Sequence, residues 1–308
     1  MASSTGSRRS ERLPAWLRRP IPVIGQCSRI ETVIRKRKLH TICREGLCPN
    51  RAECYAKGKV TFMILGDVCT RGCRFCSVRK GTPAPVDERE PAHIAEATRD
   101  LGLRHVIVTS VTRDDLPDGG ASHYASVIGA LRALDPAPVV EVLVPDFRGS
   151  TAALETVLAA GPRILSHNME TVRRLYPAMR RGADYDRSLA LLAGSKKMDK
   201  EVYTKSSFML GLGESDEELL DAMADLRNAG VDFTAIGQYL RPGLEQEPVR
   251  EYVHPDRFAR LEEEGYRMGF REVTAGPLVR SSYQENDIET DVPAGNTQPP
   301  DDRRRTDS

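Results

Sequence analysis

The sequence predicts an α/β fold: a partial (β/α)6 TIM-like barrel with an N-terminal cysteine-bearing extension and a C-terminal closing segment. Two observations carry this expectation. Short β-branched or apolar runs alternate with helical patterns through the middle of the chain, which argues for parallel strands joined by crossover helices. The residues of unusual chemistry also fall just after the runs, where the loops of α/β barrels gather an active site.

The strand candidates are VTFMIL (60–65), HVIVTSV (105–111), VVEVLVP (139–145), ILSHNM (164–169), YTKSSFML (203–210) and FTAIGQYL (233–240). Between them stand the helical segments HIAEATRDLG, HYASVIGALRAL, TAALETVLAAG, DRSLALLAGSKK and DEELLDAMADLRNAG. A sixth helix, PDRFARLEEEGYRMG, opens with Pro255, which suits a first helical turn. The segments after the strands are CTRGCRFC, TRDDLPDGG, PDFRG, HNMET, GLGE and RPG, and together they predict one shared mouth.

Both ends read as extensions. The first 40 positions carry ten Arg or Lys residues against Glu11 and Glu31, read as a solvated basic arm or as a dock for an acidic partner. QENDIETDVPAGNTQPPDDRRRTDS at the other end has few large apolar residues and repeated Pro, and reads as a disordered tail. A net charge of +1 does not mark a nucleic-acid coat, and no apolar run approaches the roughly 18 residues of a membrane span. MASSTGSRRSER lacks the apolar stretch of a signal peptide, which points to the cytoplasm, with a short organellar transit piece as the alternative.

A reducing compartment disfavours disulfides, so the cysteines need another explanation. All seven (Cys27, Cys43, Cys48, Cys54, Cys69, Cys73 and Cys76) lie in the first quarter of the chain. Cys69, Cys73 and Cys76 form C-x3-C-x2-C. A structural zinc wants four tight ligands, and SVRKG downstream offers no fourth, whereas three thiolates suit three corners of a 4Fe-4S cube with one iron left open. Cys43, Cys48 and Cys54 form C-x4-C-x5-C. Steps of five and eleven residues turn about 140° and about 20° on a helix, so one regular helix cannot converge them, but a loop broken at Pro49 can. Cys27 reads as a lone thiol.

The C-x3-C-x2-C spacing, with Phe75 before its last cysteine, resembles the signature of the radical S-adenosylmethionine superfamily. The two triads in this order, with CPNRAEC, TSVTRDDLPDGGA, EVLVPDF, SHNMETV, YDRSL, MLGLGE, IGQYLRP and GPLVRSSY, resemble the lipoyl synthases from Leu39 to Tyr283. The resemblance implies a partial (β/α)6 barrel and two 4Fe-4S clusters. The first is held by Cys69, Cys73 and Cys76 and chelates S-adenosylmethionine for reductive cleavage to a 5'-deoxyadenosyl radical. The second is held by Cys43, Cys48, Cys54 and Ser282, a hard oxygen among soft sulfurs and therefore a labile ligand. It implies insertion of two sulfur atoms, drawn from the second cluster, at C6 and C8 of an octanoyl chain on a carrier lysine. Implied partners are the octanoylated lipoyl domains of 2-oxoacid dehydrogenase complexes or the glycine cleavage carrier protein, a reductant such as ferredoxin or flavodoxin, and an iron-sulfur carrier protein. Neither nucleic acid nor membrane is among them. A methylthiotransferase acting on tRNA is the rival enzyme, but the residues after Tyr283 leave no room for an RNA-binding domain.

Phe75, Asn168, Glu170 and Arg187 are expected to bind S-adenosylmethionine or the substrate, with capping and surface pairing as their alternative. Asp114, Asp115 and Asp118 are candidates for ribose or carrier contacts, and Glu214 for favouring a helix start. CREG, Tyr55, KSSFMLGLGE and RPGLEQEPVREY depart from the family's usual pattern without touching an expected ligand. The organisation expected is therefore a basic arm (1–40), an auxiliary-cluster segment (41–59), the barrel (60–270), a closing segment (271–283) and a tail (284–308).

Overall fold

The structure, a computed structural model, describes residues 13–18 and 28–282. Cys27, Tyr283 and the expected tail lie outside the described residues.

The main sheet has eight strands: β1 (His40–Thr41), β2 (Thr61–Ile64), β5 (His105–Ser110), β6 (Val139–Leu143), β7 (Ile164–Ser166), β8 (Tyr203–Leu210), β9 (Phe233–Gln238) and β10 (Glu272–Gly276). They are ordered β1-β2-β5-β6-β7-β8-β9-β10. Only β1 runs antiparallel to its neighbour; the rest are parallel. Two short strands, β3 (Val68–Cys69) and β4 (Arg79–Lys80), pair beside it. The crossovers are α4 (Glu90–Leu101), α5 (Ala121–Arg132), α6 (Thr151–Ala159), α8 (Tyr185–Met198), α9 (Asp216–Asn228) and α10 (Pro255–Arg267), with the single turn α7 (Tyr176–Met179) before α8. Strands β2, β5, β6, β7, β8 and β9 are each followed by one of these helices, which makes the six expected βα units.

Local chemistry sets the helix starts. Ser215 and Glu218 form a reciprocal capping box on α9, Asp184 accepts from the Arg187 N–H at the start of α8, and Pro255 opens α10. The strands' helix-facing residues, such as Phe62, Val108 and Val142 on one side and Leu210, Ile236 and Val273 on the other, fill two apolar clusters. The opposite side of the sheet is polar. Lys205 Nζ lies 3.1 Å and His105 Nε2 3.4 Å from the buried Glu141 carboxylate. Burial alone would raise that carboxyl; the Lys205 ammonium and His105 hold it down at about 2.

The structure corrects the sequence reading in two places. Part of the expected solvated arm is packed: α1 (Ser28–Lys36) buries Ile30 and Ile34, Leu39 follows them into the core, and Arg37 pairs with Glu96 and Asp100 of α4. The expected closing segment begins as a seventh parallel strand, β10, which pairs with β9 over five residues. EVTAG is too short, and too close to Gly276-Pro277, to read as a strand by alternation.

Candidate active site

Cys69 ends β3, and the loop to Cys76 lies across the C-terminal ends of the strands. The Thr70 N–H donates to Thr112 O (3.0 Å), Arg74 N–H to Met179 O (2.9 Å) and Glu247 N–H to Arg74 O (2.9 Å), so three further loops hold it. Arg71 is the central anchor. Its buried guanidinium donates to both carboxylate oxygens of Asp114 at 2.7 and 2.8 Å and to Asp146 at 2.6 Å. Burial pushes the Asp146 carboxyl up, but Arg71 brings it down to about 2. Cys69 Sγ accepts from the Arg71 and Thr112 N–H groups at 3.4 and 3.3 Å. Cys73 is raised by burial and Cys76 is pushed up to about 12. Such thiols ionise when a cation is bound among them.

The other expected residues are placed as follows. Phe75 packs with Met179, Leu212 and Tyr239 in a small apolar cluster. Asn168 donates to Glu170 at 3.0 Å, and Asn168 Oδ1 is buried without a hydrogen-bond partner. Glu170 is held at φ 67°, and burial raises its carboxyl although Arg180 opposes this. Arg187 donates to Asp146 (2.8 Å) and Gly182 O (2.8 Å). Asp115 pairs with Arg113, Asp118 accepts from the Gly120 and Ser122 N–H groups, and Glu214 accepts from those of Gly211 and Leu212.

The second triad is built on two short helices, α2 (Ile42–Glu45) and α3 (Arg51–Ala56), separated by a turn in which Leu47 adopts φ 49°. This break is what lets Cys43, Cys48 and Cys54 line one cavity of about 310 Å³, which also holds Arg280 and Ser282. Asn50 donates to Leu278 O at 2.6 Å and ties the last segment to the triad. Gly237 is needed there, because a Cβ would stand 2.0 Å from Val279 O. Burial pushes Cys43 up to about 11 and Cys54 to about 12, with the neighbouring thiols adding to the rise.

The cavity is lined by residues leading into β2 (57–61) and β5 (101–107), at the N-terminal ends of those strands. Antiparallel pairing of β1 with β2 carries the chain from His40 opposite Met63 to Thr41 opposite Phe62, and so towards the start of β2. Arg280 was not singled out in the sequence, although GPLVRSSY places it without an acidic neighbour.

The family profile described as Radical SAM superfamily matches residues 63–226. The lipoyl synthase of Thermus thermophilus is 52% identical over 277 residues, covering 89% of this chain and 86% of its own. That of Caldanaerobacter subterraneus is 53% identical over 273 residues, covering 88% and 95%, respectively. The chain belongs to the lipoyl synthases. Lipoyl synthases are radical sulfur-inserting enzymes, and the superfamily brings a 4Fe-4S cluster and S-adenosylmethionine. The fold agrees. Methylornithine synthase (PylB) superposes with a TM-score of 0.54 at 14% identity, covering 68% of this chain and 63% of that one. HydG, a maturase of the FeFe-hydrogenase, gives 0.54 at 16%, covering 80% and 62%. The donors at the first triad suit the cluster that the superfamily brings: the free thiols Cys69, Cys73 and Cys76, with an orphaned buried acceptor on Asn168.

Proposed function

We propose that the chain inserts two sulfur atoms at C6 and C8 of a protein-bound octanoyl-lysine, and that its two triads have separate tasks. The observation that carries this reading is the separation of the triads: one lies on the loops past the strand ends, the other in a cavity with a hydroxyl at the opposite ends. When bound, the two clusters and S-adenosylmethionine supply a one-electron cleavage to a 5'-deoxyadenosyl radical and the sulfur to be inserted.

Cys69, Cys73 and Cys76 hold the first cluster, and Arg71 keeps their loop in place through Asp114 and Asp146. Asn168 and Glu170 face the same region, and the free acceptor of Asn168 suits a donor on S-adenosylmethionine. Phe75 and Arg187 position this wall through apolar packing and the Asp146 pair. Cys43, Cys48, Cys54 and Ser282 hold the second cluster, and the hydroxyl is the ligand that leaves most readily. The substrates are octanoylated lipoyl domains of 2-oxoacid dehydrogenase complexes or the glycine cleavage carrier, the electrons come from a ferredoxin or flavodoxin, and an iron-sulfur carrier renews the second cluster. No helix among the described residues is long and apolar enough to cross a membrane. We place the enzyme in the cytoplasm, where its thiols stay reduced.

Anaerobically reconstituted protein is expected to carry about eight irons per chain, and Cys43→Ala about four with S-adenosylmethionine cleavage retained. Zinc in place of iron, or loss of both activities in Cys43→Ala, contradicts the division of tasks.

A further inference from the structure

Leu65 directly follows β2, and it stands in a conformation that a bulky side chain rarely takes. Its φ is 67° and that of Gly66 is 92°, so two successive left-handed residues turn the chain into the loop that reaches Cys69. Such a residue persists only where its surroundings over-determine it, and here buried charges grip it on both sides. The Leu65 N–H donates to Glu90 Oε2 at 2.9 Å, and the Leu65 carbonyl accepts from Arg113 Nη1 at 3.2 Å. Glu90 opens α4 and Arg113 follows β5; both are buried. Each is held in turn, Glu90 by His123 of α5 at 2.7 Å and Arg113 by exposed Asp115 at 2.9 Å. The Leu65 side chain closes against Gly120, where a Cβ would stand 2.4 Å from its Cδ1. The segment after β5 also holds the loop further on. Thr112 O accepts from the Thr70 hydroxyl at 2.9 Å, the Asp114 N–H donates to that hydroxyl at 3.1 Å, and the Asp114 carboxylate takes Arg71. Cys69 therefore lies between fixed points at Leu65 and at Thr70 and Arg71.

We infer that Glu90 and Arg113 are positioning residues for the cleavage of S-adenosylmethionine: they hold Leu65 in its left-handed turn and so set where Cys69 stands relative to Cys73 and Cys76. The stretch between those two cysteines is tied elsewhere, to Met179 and Glu247 through Arg74, so the turn at Leu65 adjusts one ligand against the other two. The inference rests on the reading of these three cysteines as cluster ligands and adds what aligns them. Glu90 and Arg113 carry opposite charges, yet each addresses one backbone group of the same residue, which is what fixing a turn requires. Small displacements of a reacting group are costly in rate even when the fold survives them.

The test uses the full chain, reconstituted anaerobically, and three variants. Glu90→Leu and Arg113→Met each remove one grip at similar bulk, whereas Glu90→Gln keeps an acceptor oxygen for the Leu65 N–H. Cleavage of S-adenosylmethionine is followed with a chemical reductant, and the electron paramagnetic resonance spectrum of the reduced protein is recorded with and without S-adenosylmethionine. Glu90→Leu and Arg113→Met are expected to melt as cooperatively as the parent, with kcat for cleavage about tenfold lower and the spectral response to S-adenosylmethionine lost. Glu90→Gln is expected to stay within about twofold of the parent and to keep that response. Asp115 faces solvent, so Arg113→Met carries the test if Glu90→Leu does not fold. Parental kcat and spectral response in the folded variants overturn the inference, and so does a Glu90→Gln protein as impaired as Glu90→Leu. A parent whose spectrum does not respond to S-adenosylmethionine contradicts the ligand reading itself, and the inference with it.

Discussion

Arg71 and Asp146 show how one side chain holds a loop together. Their side chains are 6% and 0% exposed, and Asp146 also receives Arg187, so one carboxylate joins the first-triad loop, the end of β6 and the start of α8. Asp146→Asn removes the charge while keeping the shape, and leaves Arg71 with Asp114 alone. It is expected to destabilise the fold by about 2 to 3 kcal/mol, measured by urea unfolding. The pH dependence has a definite sign. Asp146 is lowered from 3.8 to about 2, so its contribution is fully present above pH 4 and is lost as pH falls through about 2. Glu141, lowered to about 2 by Lys205 and His105 against its burial, acts in the same direction. Acid unfolding followed by circular dichroism should therefore steepen over this window, with a shallower limb in Asp146→Asn. The sequence showed Arg187 as polar and near the mouth, but its partner lies 41 positions away and no local pattern could name it.

The short elements decide where the second triad sits. Two residues of β1 and five of β10 frame it, and neither is long enough to announce itself by alternation. Helix α1 was more legible: Ile30 and Ile34 stand four apart on one face, but the surrounding Arg and Lys drew the reading towards solvent. The break between α2 and α3 was legible, because no single helix can converge C-x4-C-x5-C. Gly237 tests this architecture. Adding a Cβ would push it to 2.0 Å from Val279 O and displace the segment carrying Arg280 and Ser282. Gly237→Ala is expected to halve the iron retained per chain after anaerobic gel filtration while leaving S-adenosylmethionine cleavage in place; full iron retention would show that the segment is not needed to hold the second cluster.

Across the whole molecule, six βα units were visible because short β-branched or apolar runs alternate with longer helical patterns. The polar side of the sheet was not visible, since His105, Glu141 and Lys205 come from three strands and meet only in the fold. The same holds for the place of the second triad, whose cavity is lined by residues leading into β2 and β5. Under the proposed function, a substrate chain would reach between the two triads. The most direct test is mass spectrometry of an octanoylated carrier domain after anaerobic incubation with the reconstituted enzyme, a reductant and S-adenosylmethionine. Two sulfur atoms replacing two hydrogens on the octanoyl chain is the predicted result; 5'-deoxyadenosine formed without any sulfur on the carrier would contradict it.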